Sequence, residues 1–130
     1  MTPDAYMAKA ERALASARLL LADGDINGAV NRAYYAMFEA AHAALLTECP
    51  TINPAGIRTH TAVISAFGRH LVKTGRLPAE VGKAMNRVEQ IRLLADYTGE
   101  EVGHERADWA VAQAEVLVNT VRDVMNPGRS

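Results

Sequence analysis

Apolar residues recur at three- and four-residue intervals through most of this chain, and no segment alternates them with polar residues as a half-buried strand would. Tyr6, Ala10, Ala13, Leu14, Ala17, Leu20 and Leu21 form one such stripe and predict a first helix over about 3–22, with Thr2 as N-cap and Pro3 in the first helical position. Ala22-Asp23-Gly24-Asp25 stops it and restarts the chain as a second helix over about 26–48, capped by Asp25 or Asn27. Pro50, Asn53, Pro54 and Gly56 make the next segment a loop. Thr59 or His60 opens a third helix, about 59–74, and Leu77-Pro78 opens a fourth, about 78–97, closed by Thr98-Gly99. A polar, acidic loop leads to a fifth, about 107–125, which Asn126-Pro127-Gly128 ends. The pattern predicts an all-α protein: an up-and-down bundle of four to five helices, one domain over 1–130.

The second helix carries two stripes. Asn27, Asn31, Tyr34, Phe38, Ala41 and Leu45 share a core seam, and Arg32, Tyr35, Glu39 and His42 lie about 100° away on a polar one. Alanines at 33, 36, 40, 43 and 44 fill the rest and permit close approach by a neighbouring helix. This is more packing surface than a monomeric bundle needs, which suggests a homodimer. The fourth helix repeats the scheme, with Val81, Ala84, Val88, Ile91 and Ala95 as its seam and Met85, Glu89, Arg92 and Asp96 as a mostly charged stripe. Arg92 and Asp96 have the i, i+4 spacing of an ion pair. If the two helices are neighbours, their polar stripes share a cleft.

Composition changes this picture little. Apolar residues make up 49% and charged ones 22%, as in a soluble globular protein. Cys49 is the only cysteine, so a disulfide within the chain is excluded and a cytoplasmic location is expected. Asp4, Lys9, Glu11, Arg12 and Arg18 exclude a signal peptide or membrane span over 1–22. Charge does change the picture. The net charge of −1 conceals a segment, 49–79, with Arg58, Arg69, Lys73 and Arg76 and no acid, together with His60 and His70. Such a strip can attract phosphate, though four charges more often form a solvated face. No Gly-rich phosphate loop, nucleophile elbow or His-Glu-x-x-His spacing occurs, so neither a metal nor another cofactor is expected.

RAYYAMFEAAHAAL in the second helix, THTAVISAF and HLVKTG in the third and RLLADY in the fourth resemble the HEPN superfamily, in its UPF0332-like branch. The likeness covers about Tyr6 to Met125. It implies a helical bundle, often dimeric, often encoded beside a minimal nucleotidyltransferase in toxin–antitoxin or defence systems. Many members are metal-independent ribonucleases that use an Arg and a His with four to six residues between them. The histidine moves a proton and the arginine holds the developing phosphorane charge. That spacing is absent: neither Arg87 nor Arg92 has a histidine there, and Arg92-Leu-Leu-Ala-Asp96-Tyr97 puts an aspartate near the expected place. An aspartate in that place is a poorer general acid at neutral pH than the histidine it stands for.

Two functions therefore stand side by side. One is a module binding a nucleotide, RNA or a protein partner through Arg32, Tyr35, Glu39, Arg92, Asp96 and Tyr97. In relatives whose motif ends in tyrosine the partner transferase can attach AMP to it, which makes Tyr97 the modification candidate. The other is a ribonuclease with an altered site drawn from Arg92, Asp96 and His60. Against both, Arg92 and Asp96 could be an ordinary surface pair, Tyr97 a plug at the helix end, and His60 a helix-start residue.

Overall fold

Thr2 caps the first helix, its Oγ1 accepting from the Ala5 N–H at 3.1 Å. Pro3 follows where its missing N–H has no partner to lose. This helix, α1 (Pro3–Asp23), ends on Gly24 at φ +89°, a left-handed position that a side chain would strain. Asp25 then caps α2 (Ile26–Glu48), with Oδ1 accepting from the Gly28 N–H at 3.0 Å. Asn27, the other predicted cap, accepts from the Val102 N–H at 2.9 Å and ties the start of α2 to the loop after the fourth helix. The computed structural model describes residues 1–127; over them the chain is helical, without a strand. Gly128, the last residue of the predicted stop, lies outside the described residues.

A single 3₁₀ turn, Pro54–Ile57, precedes α3 (His60–Phe67), which Thr59 caps through the Ala62 N–H. Here the sequence pattern extended too far. The α-helix stops at Phe67 and widens into a π-helical turn over Gly68–Val72, marked by the Lys73 N–H reaching the Gly68 carbonyl at 2.9 Å. Phe67 just before the turn and Leu71 within it are both fully buried. Gly75, at φ +78°, ends the segment. The fourth helix, α4, runs Ala79–Thr98 and closes on Gly99 at φ +69°. The fifth, α5 (His104–Met125), begins at His104, because Gly103 ends the loop a turn ahead of the apolar stripe.

α2 lies at the centre and packs on α1, α3, α4 and α5. Every residue from Ala36 to Leu45 is buried, so this stretch is surrounded on all sides. The alanines make that possible. Ala10, Ala13 and Ala17 of α1, Ala29, Ala33, Ala36 and Ala40 of α2, and Ala110 and Ala114 of α5 are buried contact positions where a longer side chain would hold the helices apart. Tyr34, Phe67, Met37, Leu45, Leu71, Met85 and Leu117 supply the large buried volumes, each contributing about 1.5–3 kcal/mol by removal from water. Alanine enrichment suggested a second copy, but those faces are used within one chain. Outside the core, Arg122–Glu11 and Arg18–Glu115 pairs link α5 to α1 across exposed surface, where each adds little.

Candidate functional site

The α2–α4 contact builds the site. Tyr34 is fully buried and Tyr35, the next residue on α2, is half-buried beside it, their rings edge to face at 5.3 Å. The Arg92 guanidinium, from α4, lies over the Tyr34 ring at 4.4 Å and reaches Tyr35 at 5.9 Å. Arg32 also covers Tyr35, at 4.7 Å, held in place by Asn31 Oδ1, which accepts from its Nε and Nη2 at 3.2 and 3.0 Å. Two guanidinium groups from different helices thus converge on one tyrosine.

Arg92 is the most constrained member. Only 12% of its side chain is exposed, and two carboxylates bracket it: Asp96 Oδ2 at 3.2 Å and Glu89 Oε2 at 3.7 Å. The Glu89 pairing, at i, i+3, appears in the sequence as spacing but not as a site. Its consequence is electrostatic. The Tyr34 hydroxyl and Glu89 Oε2 are both buried, and neither makes a hydrogen bond of good geometry among the described residues. They lie close enough that, after burial itself, Glu89 pushes the Tyr34 pKa far above its ordinary value, with Arg92 opposing. Tyr34 stays neutral at any physiological pH.

His60 joins from the first turn of α3, its ring 5.5 Å from both Tyr34 and Tyr35 and 4.4 Å from Phe38. So the histidine proposed as a spatial substitute does reach the same aromatic cluster as Arg92. Asp96 is there through Arg92. Tyr97 is not a core plug: it is 85% exposed beside Asp96 near the end of α4. Glu39 is not brought to the cleft. It pairs with Lys9 Nζ of α1 at 3.5 Å, and His42, a turn on, stacks against Tyr6 with ring centroids 4.0 Å apart. Of the basic strip, Arg76 donates to the Glu48 carbonyl, and Arg58, Arg69 and Lys73 are exposed.

A sequence model described as HEPN domain matches residues 4–124. The chain belongs to the HEPN family. Among its relatives, a UPF0332 protein of Gloeobacter violaceus is 40% identical over 76% of each chain. A Thermotoga maritima UPF0332 protein is 35% identical, over 90% of this chain and 86% of its own. A Methanocaldococcus jannaschii protein bearing the name "Putative toxin MJ0605" is 33% identical, over 89% and 83%. The HEPN bundle is therefore all-helical as its sequence indicated, and no helix among the described residues is long and apolar enough to cross a membrane. No group of three or more His, Cys, Asp or Glu among them is arranged to hold a metal ion.

His42 gives this HEPN chain an acid sensitivity. Burial lowers its pKa from the ordinary 6.5, and the N-terminal amino group and Lys9 lower it further. The unfolded chain therefore binds the proton more readily. Stability is fully present above about pH 6.5 and falls as pH drops below it. Thermal melts between pH 7.5 and 5 should show this loss, and His42→Gln should flatten the profile. An equal slope in both proteins would refute it.

Proposed function

We propose that this chain is the HEPN member of a toxin–antitoxin or defence pair, acting in the cytoplasm as a binding module. Its α2–α4 cleft takes a phosphate-bearing ligand, RNA or a nucleotide, and it presents Tyr97 to a minimal nucleotidyltransferase partner. The meeting of Arg32 and Arg92 on Tyr35 carries this proposal. Arg32 is half-buried and, among the described residues, its hydrogen bonds go to a neutral amide, so its charge is open to an anion. Arg92 is already neutralised by Glu89 and Asp96, but the Asp96 side chain is half-exposed at 3.2 Å and a phosphate oxygen can take its place. The relative that bears the name of a putative toxin supports the pair. The exposed Tyr97 hydroxyl supports adenylylation: it would attack the α-phosphate of ATP and release pyrophosphate.

One observation favours a ribonuclease instead: His60 shares Tyr34 and Tyr35 with Arg92. A single set of assays separates the two. Purified protein in EDTA should bind a short RNA without cutting it, and Arg32→Ala should weaken binding about tenfold, as loss of one charge-assisted contact does. Cleavage that disappears in both His60→Ala and Arg92→Lys would replace the module with the enzyme. Adding the transferase and ATP should attach one adenylyl group, absent in Tyr97→Phe. For a homodimer, light scattering on the same samples would give twice the chain's 14.0 kDa.

A further inference from the structure

Beyond His60, the acid-free strip of residues 49–79 has a centre of its own in the π-helical turn Gly68–Val72. That turn buries Leu71 and leaves Arg69 and His70 exposed. Widened turns of this kind are rare and occur frequently at functional sites.

Two hollows meet there. One, of about 350 Å³, is lined by Ile52, Ile57, Ala62 and Ala66 together with Arg69 and His70. The other, of about 460 Å³, is lined by Cys49, Pro50, Thr74 and Arg76 and by one carboxylate, Glu48. Ile52 and His70 belong to both, so the hollows form one furrow. Arg76 donates to the Glu48 carbonyl, which anchors its side chain without neutralising it. None of the ion pairs among the described residues involves Arg69, Lys73 or Arg76. The furrow is therefore positively charged and calls for an acidic occupant.

Its lining narrows the class of occupant. Single-stranded RNA binds largely by stacking bases on aromatic rings. Among the described residues no Phe, Tyr or Trp lines either hollow, and the apolar walls are aliphatic. An aliphatic hollow beside unpaired cations fits a protein chain better: an apolar side chain fills the hollow and carboxylates meet the guanidinium groups. An extended chain presents alternate side chains to the surface about 7 Å apart, so both kinds of residue can face the furrow at once.

We propose that this furrow docks an extended acidic segment of a partner protein. One aliphatic side chain of that segment sits against Ile52, Ala62 and Ala66, and its carboxylates pair with Arg69 and Arg76. The docking is independent of the α2–α4 cleft, since Arg32, Tyr35 and Arg92 line neither hollow.

The test uses the full chain, isotopically labelled, and a short peptide carrying Glu, Leu and Glu at alternate positions with Ser between them. Controls carry Ser in place of Leu or Lys in place of Glu, and an RNA of equal length is the fourth probe. The ring signals of His70 and His60 report the furrow and the cleft separately. The Glu–Leu peptide should shift His70 saturably and leave His60 unmoved. The Ser-for-Leu control should bind at least tenfold more weakly, and the Lys control should not bind. Arg69→Glu, at an exposed position, should weaken the Glu–Leu peptide at least tenfold. Ala66→Leu, which fills the first hollow, should remove the advantage of the Glu–Leu peptide over its Ser control. No His70 response to the Glu–Leu peptide, an unchanged affinity in Arg69→Glu, or RNA binding at His70 as tightly as the peptide overturns the proposal. RNA that shifts His60 while no probe shifts His70 overturns it and leaves the α2–α4 cleft standing.

Discussion

Tyr34→Ala is expected to destabilise the protein by about 3–5 kcal/mol, the usual result of truncating a fully buried aromatic residue. For a chain of this size that is a fall of roughly 12–20 °C in melting temperature, measurable by calorimetry. The loss has two parts: a cavity on the core side of α2, and removal of the ring on which Arg92 rests at 4.4 Å. Tyr34→Phe isolates the hydroxyl. That group is buried and lacks a well-formed hydrogen bond, so its removal should leave stability within about 0.5 kcal/mol of the parent or raise it. A loss above about 1 kcal/mol would show that the hydroxyl does bond Glu89 in solution.

Arg92→Ala is expected to cost about 2–3 kcal/mol, or roughly 8–12 °C. A charge 12% exposed, stacked on an aromatic ring and facing two carboxylates cannot be deleted without consequence. Its removal strands Glu89 Oε2, which is already buried, beside Tyr34. Arg92→Lys keeps the charge but loses the flat face, so it should recover about half the loss. Because Arg92 and Tyr34 touch, the two effects should not add: in Tyr34→Ala the further cost of Arg92→Ala should be clearly smaller. Full additivity would mean that Arg92 stabilises the fold through its carboxylates alone.

Because capping is local, Thr2 was legible as a cap and Asp25 and Thr59 as one of two candidates each. Thr2, Asp25 and Thr59 each needed only a side chain within three residues of the N–H it accepts from. The π turn after Phe67 was not, since nothing near Gly68 separates a helix continuing from one widening by a residue. The polar stripe on α2 was drawn as one surface and serves as two. Arg32 and His42 are ten residues apart, about 15 Å along the axis and roughly 80° around it. Rotation does not part them, since Glu39 falls between Arg32 and Tyr35 around the axis; the distance along it does, so Tyr35 meets Arg92 of α4 while Glu39 and His42 meet Lys9 and Tyr6 of α1. Lys9 and Tyr6 make that second contact, but α1 alone showed only an amphipathic helix. The alanines of α2 marked close packing correctly; whether they met their own chain or another could not be read from the helix itself.

The sequence by itself determined five helical segments, most of their ends, the family to which the chain belongs, and the absence of a histidine where the ribonuclease motif would put one. Each follows from spacing within a few turns of one helix, where the 3.6-residue repeat and the reach of a side chain decide the outcome. Only the tertiary structure decided which helices became neighbours. That put Arg32 and Arg92 on one tyrosine and His60 beside them, and set Glu39 and His42 apart against α1. Side chains distant along the chain meet only when helices choose partners, and that choice depends on how every buried surface packs at once.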